Sequence, residues 1–293
     1  MLEFKNLSWD DKNKYDKFYN SSPVHYAEYS FSALWLWQKA YPVKIAYDEI
    51  NNLCWLRFSD EYSGMCGPVG NCEKIFNPEY FKSENINFIY DMPEFYAEKL
   101  QNNDKFKLIS EPDQDEYIYL VDELINLKGK KFAHKRNRVR TFLDGYEWDY
   151  YNLTPEYFDE LINFQEVWRE HRDLNLNSDE VASLLDEDNA IKTALEKWNE
   201  FKFSGGIIKI ENKIIAYTIA EELDDENINI KFEKAFSEYA GSYQAINNLF
   251  LRNSCAKYKY ANREEDLGEA GLREAKISYN PVKMLKKYTV EIL

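Results

Sequence analysis

Apolar residues recur along this chain at two spacings, and the switch between them outlines the elements. Residues 8–20 predict a short helix with Ser8 as N-cap and an acidic first turn. In 27–40, Phe31, Leu34, Trp35 and Gln38 fall at helical spacing, and Pro42 stops the helix. VKIAY and LCWLRF, joined by DEINN, predict a hairpin, followed by a loop at SGMCGPVG. INFIY and FKLISEP predict strands around a helix at 93–102, and EYIYLV completes this half. The first half is therefore mixed α/β with mostly antiparallel pairing.

The second half is more regular. LKGKKFAHKRNRVRTFLDGY (127–146) predicts a basic helix. The next opens on Thr154 as N-cap with Pro155 at its first position, and Phe158, Leu161, Ile162, Gln165 and Trp168 mark its buried stripe. Residues 178–203 predict further helix, capped by Ser178. Three strands follow, GGIIKIE, KIIAYTIAEE and NINIKFEKAF, with connections short enough for antiparallel hairpins. Then come a helix whose N-terminus carries Gly241, a short strand YKYAN, a turn REEDLGEAG, a helix LREAK, and TVEIL to close this same sheet. A strand running into a helix start offers unpaired N–H groups and partial positive charge to an anion.

The 293 residues suit two domains, 1–122 and 123–293. The net charge of −15 repels polyanions at long range, so contact with nucleic acid or anionic lipid has to run through a local basic patch, and DNA is not an expected partner. No apolar run approaches the ~20 residues of a membrane span, and the first residues lack the basic-then-apolar order of a signal peptide. A cytoplasmic protein is expected. Cys54, Cys66, Cys72 and Cys255 form no CxxC and have no matching His pair, so reduced thiols and no metal are expected. His25 and His171 stand isolated and are read as structural.

Against that acidic background one cluster is conspicuous: Lys128, Lys130, Lys131, Lys135, Arg136, Arg138 and Arg140, with His134 among them. On a continuous helix 128, 131, 135 and 138 share a face. The cluster is either a phosphate contact or a solvated face neutralised by acidic neighbours. Glu233 and Lys234 are adjacent in a strand and so point to opposite sides. Glu233 is either a general base for an attacking amine or one half of a structural ion pair. Gly241 permits a close backbone approach to a phosphate, with Tyr243 and Gln244 beside it, although a plain helix entry has the same appearance. Glu264, Glu265 and Asp266 lie just past a strand, where carboxylates can hold an amine. Arg273 and Lys276 either bind phosphate or carboxylate, or pair with those acids and order the turn. There is no G-x-S-x-G, Walker or G-x-G-x-x-G pattern. That fits direct attack of an amine on a bound ester or thioester, without a covalent enzyme intermediate.

LKGKKFAHKRNRVRTF (127–142), IKFEKAFSEYAGSYQAIN (230–247), YANREEDLGEAGLREAKISYNPVKMLKKY (260–288) and the early YSFSALWLWQKAY (29–41) together resemble the family built on the C-terminal domain of phosphatidylglycerol lysyltransferase, in its short soluble branch. The resemblance implies an α/β (α+β) fold of two tandem GNAT-like acyltransferase domains, each a mixed, mostly antiparallel sheet flanked by helices. It also implies relatedness to aminoacyltransferases that use aminoacyl-tRNA. Lipid-modifying lysyltransferases have a long hydrophobic region and a Leu-Gly-Met-Ala-Pro-Leu-like run. Here LGEAGL stands at 267–272, and lipid lysylation is not the expected reaction.

The expectation is thus an acyl- or aminoacyltransferase that moves its group to an amine or hydroxyl. It would require no cofactor beyond its donor, either aminoacyl-tRNA or an acyl-CoA. Glu233, Glu264 and Asp266 are the candidate catalytic groups. Gly241, Tyr243, Gln244, Arg273 and Lys276 would hold the donor, and Lys131, Lys135, Arg136, Arg138 and Arg140 its phosphates or tRNA. The rival expectation is a GNAT-like module that binds a metabolite, lipid head group or peptide without turnover.

Overall fold

The hairpin predicted near residue 50 becomes the middle of a seven-stranded sheet. The computed structural model describes residues 2–58, 64–72, 77–173 and 178–293. In chain order, the elements up to residue 126 are β1 (Lys5–Asn6), α1 (Lys12–Ser21), α2 (Phe31–Trp37), β2 (Lys44–Asp48), β3 (Leu53–Arg57), β4 (Gly64–Gly70), α3 (Pro78–Ser83), β5 (Phe88–Pro93), α4 (Glu94–Leu100), β6 (Phe106–Ser110), β7 (Glu116–Leu120) and α5 (Val121–Asn126). The remainder comprises α6 (Ala133–Gly145), β8 (Asp149–Asn152), α7 (Phe158–Asp173), α8 (Ser178–Glu196), β9 (Phe203–Ile210), β10 (Lys213–Glu222), β11 (Asn227–Ala235), α9 (Ser242–Ser254), β12 (Tyr260–Asn262), α10 (Ala270–Ile277), β13 (Lys283–Leu285) and β14 (Lys287–Ile292).

Local chemistry accounts for the starts of the helices. Ser8 donates its hydroxyl and its backbone N–H to the same Asp11 oxygen, at 2.8 and 3.1 Å, and so fixes the entry to α1. The predicted helix 27–40 is broken at Ser30, whose extended backbone lets its hydroxyl cap Ala33 N–H at 3.1 Å. Only Phe31–Trp37 is α-helical, preceded by a 3-10 turn at Ala27–Tyr29. The basic stretch likewise splits. Leu127 is left-handed, residues 130–132 form a 3-10 turn, and α6 starts at Ala133. Lys128 and Lys131 therefore do not share a helical face with Lys135 and Arg138. Helix α8 ends at Glu196, because the chain must turn before β9 begins at Phe203.

The two sheets repeat one plan. The first has the order β1-β2-β3-β4-β5-β14-β6, and the second, from its far edge, β8-β9-β10-β11-β12-β7-β13. In each, an antiparallel run leads to one parallel pair, β4 with β5 and β11 with β12. In each, the sixth position is filled by a strand from elsewhere in the chain. β14 pairs with β5 and β6, and β7 pairs with β12. TVEIL thus does not close the second sheet, and EYIYLV does not complete the first. Both are short apolar strands with no local signal of their partner. The loop expected at SGMCGPVG is strand β4 from Gly64 onward, buried throughout. An ideal Cβ at Gly64 would lie 2.3 Å from the Tyr90 ring of β5, so close parallel pairing there needs glycine.

Two compact units result. The first is Met1–Tyr117 with Glu265–Arg273 and Met284–Leu293, and the second is Ile118–Glu264 with Glu274–Lys283. The core of the first gathers Trp55, Phe81, Ile89 and Met92 around Val290 of β14. The core of the second gathers Phe142, Ile208, Ile215, Ala245 and Leu249 between α6, α9 and the sheet.

Candidate functional site

In the second unit the parallel strands β11 and β12 separate. They pair over three positions only, Asn227 with Tyr260, Ile228 with Ala261 and Asn229 with Asn262. Beyond that point β11 runs on to Ala235, still paired with β10 on its other edge, while the chain leaves β12 at Arg263. The result is a wedge, with backbone groups of β11 on one side and residues 263–264 on the other.

Side chains span the wedge. Arg263 donates from Nη2 to Glu233 Oε1 at 2.8 Å. The second oxygen of Glu233 accepts from Asn247 Nδ2 of α9 at 2.8 Å. Glu264, with φ of 56°, accepts from Asn229 Nδ2 at 2.7 Å, and its backbone N–H donates to Asn262 Oδ1 at 2.8 Å. Lys276 of α10 supports the same turn by donating to the carbonyls of Arg263 and Glu264 at 2.5 and 3.0 Å. Burial works against the charge on Arg263, but Glu233 and the hydroxyls of Tyr279 and Tyr119 outweigh it, and its pKa is raised. Burial pushes the Tyr279 hydroxyl up to about 12, against the influence of Arg263.

Glu233 and Lys234 do point to opposite sides of β11. Lys234 pairs with Glu187 of α8 at 2.7 Å and lies 4.2 Å from the Trp168 ring of α7. Glu233 faces Asn247 of α9. With both its oxygens accepting hydrogen bonds from a guanidinium and an amide, Glu233 is the anchor of a network.

Gly241 has φ of 89°, as a helix entry in the left-handed region requires, but its open side faces protein. An ideal Cβ there would lie 2.1 Å from the Arg138 carbonyl oxygen of α6. The close approach is therefore helix α6 against the start of α9. Gln244, in the first turn of α9, lies near the Tyr279 hydroxyl, and Tyr243 packs on the core cluster of Phe142 and Ala245.

The basic residues disperse. Lys131 pairs with Glu123 at 2.9 Å. Arg136 donates to the carbonyls of Leu127 and Gly129, at 2.5 and 3.2 Å. Lys135 is buried, its ammonium 4.1 Å from the centre of the Tyr279 ring. Arg138 and Arg140 are exposed. Asp266 and Arg273 belong to the first unit. Arg273 binds both oxygens of Asp266 at 2.7 and 2.8 Å and also reaches Asp113 at 2.6 Å. Asp266 also accepts from the Tyr117 hydroxyl at 2.6 Å and from the Gly268 N–H at 2.9 Å. The Arg273 guanidinium, with Tyr117 and Gly268 adding to it against burial, holds Asp266 down at about 2.

The first unit also contains a charge cluster that the sequence did not single out. Lys287 of β14 is fully buried, with its ammonium 2.7 Å from Glu28 and 3.6 Å from Glu116. Glu116 accepts the Ala27 backbone N–H on both its oxygens, each at 3.0 Å. Burial opposes the charge on Lys287, and Glu28, Glu116 and Glu265 overcome it, so its pKa is raised. Lys286 and Lys287 read as an ordinary basic tail, and nothing in their spacing announces a buried partner. Arg263 carried a weak signal, as the first charge after a strand, in front of three acids. Asn247 and Tyr279 carried none.

Among the described residues no helix is long and apolar enough to cross a membrane. A conserved protein of unknown function from Bacteroides thetaiotaomicron is 29% identical, with both chains covered completely and a TM-score of 0.87. A C-terminal domain of lysylphosphatidylglycerol synthetase type from Agrobacterium fabrum is 15% identical over 97% of this chain and 92% of that one, with a TM-score of 0.65. FemX is 10% identical over 99% and 97%, with a TM-score of 0.61. These likenesses and the repeated sheet plan make the fold a tandem GNAT-like one. The model of the family described as phosphatidylglycerol lysyltransferase, C-terminal, matches residues 21–291, so the chain belongs to that family.

Proposed function

We propose that the chain is an acyl- or aminoacyltransferase whose donor enters the β11–β12 wedge of the second unit and is attacked directly by an amine or hydroxyl. The observation that carries this reading is the wedge itself. A strand edge with unpaired backbone groups can hold an acyl carbonyl, and the helix that follows the strand begins beside it. Tyr243 and Gln244 stand at that helix start, and Arg138 and Arg140 offer exposed charge on α6 for the phosphates of a long donor. Glu264 lies at the wedge's mouth and is our candidate for holding an amine. Family membership supports transfer of an aminoacyl group. The donor is aminoacyl-tRNA or acyl-CoA.

One observation favours the rival reading, a binding module without turnover. Glu233, the best-placed carboxylate for a base, is tied to Arg263 and Asn247, so proton transfer to it requires that network to open.

Binding of aminoacyl-tRNA and of acetyl-CoA, each titrated against salt, tests the proposal. A tRNA that touches several phosphates loses affinity steeply with salt, whereas CoA loses little. Binding of one donor, with group transfer to an amine acceptor, is expected. Failure of both to bind at low salt refutes the transferase reading, and binding without transfer selects the module.

A further inference from the structure

Two cations in the second unit approach the same aromatic ring, and each keeps a donor that the protein does not use. We propose that Lys135 and Arg263, beside the Tyr279 ring, form a binding site for a phosphate-class oxyanion. The case begins with Lys135. It is only 7% exposed, yet among the described residues its ammonium meets no carboxylate at pairing distance, and the face of Tyr279 at 4.1 Å is its contact. An ammonium partly withdrawn from water without a hydrogen-bonded counterion is disfavoured. Burial and the nearby Arg263 and Arg138 accordingly lower the Lys135 pKa, and Glu233 and Glu274, the acids on its other sides, do not restore it.

Arg263 supplies the second donor. Its Nη2 is committed to Glu233, and its Nη1 is buried without a hydrogen-bond partner. Its guanidinium lies 4.8 Å from the centre of the same Tyr279 ring. Both cations therefore stand within about 9 Å of each other, since each is within 5 Å of one ring centre. That is a span a phosphate or a diphosphate can bridge with charge-assisted hydrogen bonds. The local charge also asks for an anion. Lys135, Arg138 and Arg263 face Glu233 and Glu274, and Glu233 is already satisfied by Arg263 and Asn247. Of the five basic residues at 131–140, Lys135 alone is buried, so the anion sought is one small group held deep, and the exposed face of α6 is not its seat.

The inference rests on the transferase reading only in that such a group would belong to the donor, and it is tested without any transfer. Calorimetric titration of the full chain with inorganic phosphate, pyrophosphate and sulfate at fixed ionic strength should give saturable one-to-one binding. Pyrophosphate as the tightest arm indicates a diphosphate site, and phosphate and sulfate at parity indicate a single group. Lys135→Met keeps the apolar stem, and Arg263→Lys keeps a charge opposite Glu233. Each should weaken binding about tenfold to hundredfold, the loss of one charge-assisted hydrogen bond. Lys135→Met should also leave the unfolding midpoint equal or higher, because it removes an uncompensated buried charge, and this separates a binding loss from misfolding. Absence of saturable binding by all three anions overturns the proposal, and so does binding undiminished in Lys135→Met. Anion binding without transfer leaves this site standing while the transferase reading fails.

Discussion

Substituting Gly241 by alanine separates two roles for one residue, a packing contact or an opening for a ligand. Gly129 is the internal control. Its φ is also positive, 85° against 89°, although its ψ is 177° against 4°, and an added Cβ there meets nothing within 4 Å. Alanine costs about 1–2 kcal/mol in the left-handed region of Gly241 and about 1–3 kcal/mol in the extended positive-φ region of Gly129, and restriction of the unfolded chain offsets about 0.4–1 kcal/mol of either. Gly129→Ala should therefore destabilise through its backbone alone, by no more than about 2.6 kcal/mol. At Gly241 the new methyl would sit 2.1 Å from the Arg138 carbonyl oxygen. Since α6 and α9 share the Phe142, Ala245 and Leu249 core, neither backbone yields without disturbing the packing, and overpacking adds about 1–3 kcal/mol. Urea unfolding of both variants should give Gly241→Ala a midpoint lower by the equivalent of about 2 kcal/mol at unchanged slope. Equal stability of the two variants refutes the packing account. Lost donor binding in a Gly241→Ala protein of wild-type stability would mean that the ligand, and not α6, needs the glycine.

Three further outcomes follow from the charged networks. Lys287→Met leaves Glu28 and Glu116 without their buried cation and should cost about 3–5 kcal/mol, with the Lys287→Met/Glu28→Gln pair recovering part of it in the same unfolding assay. Asp266 has its folded pKa near 2, below the ordinary ~3.9. Its contribution is therefore complete above the ordinary value and disappears as pH falls from about 5 towards 2. Wild type should lose midpoint over that range while Asp266→Asn, already weakened at neutral pH, loses less, and parallel curves would contradict the assignment. Glu233→Gln strands the Arg263 guanidinium and should cost about 3–5 kcal/mol of stability, whereas lost turnover at unchanged stability would restore Glu233 as a base.

Much of the second unit was legible because its elements obey local rules. The β9–β10–β11 meander follows from short polar connections, and the opposite facing of Glu233 and Lys234 follows from strand geometry. What escaped was long-range. β14 carries no mark that its partners lie almost two hundred positions earlier, at Ile89 and Leu108. Gly64–Gly70 lacked the alternation of a half-buried strand because both its faces are covered. The basic run was visible as composition, but one left-handed residue, Leu127, divides it, so Lys131 and Lys135 meet different neighbours. The site residues that went unseen, Arg263, Asn247 and Tyr279, come from three separate elements, and only tertiary packing brings them to Glu233.

The placement of β14 also bears on how the protein is made. The strand that supplies Val290 to the first core and Lys287 to its buried charge cluster leaves the ribosome after every strand of the second meander. Strands β1 to β6 are synthesised before it and have to wait, with β5 and β6 unable to meet through their middle strand, until strands β7 to β13 have emerged. The non-local closure this demands is slow, and the unfinished edges of β5 and β6 are open to mispairing meanwhile. A stop codon placed at Lys287 would accordingly spare the strands of the second meander and disable the sheet that was translated before them.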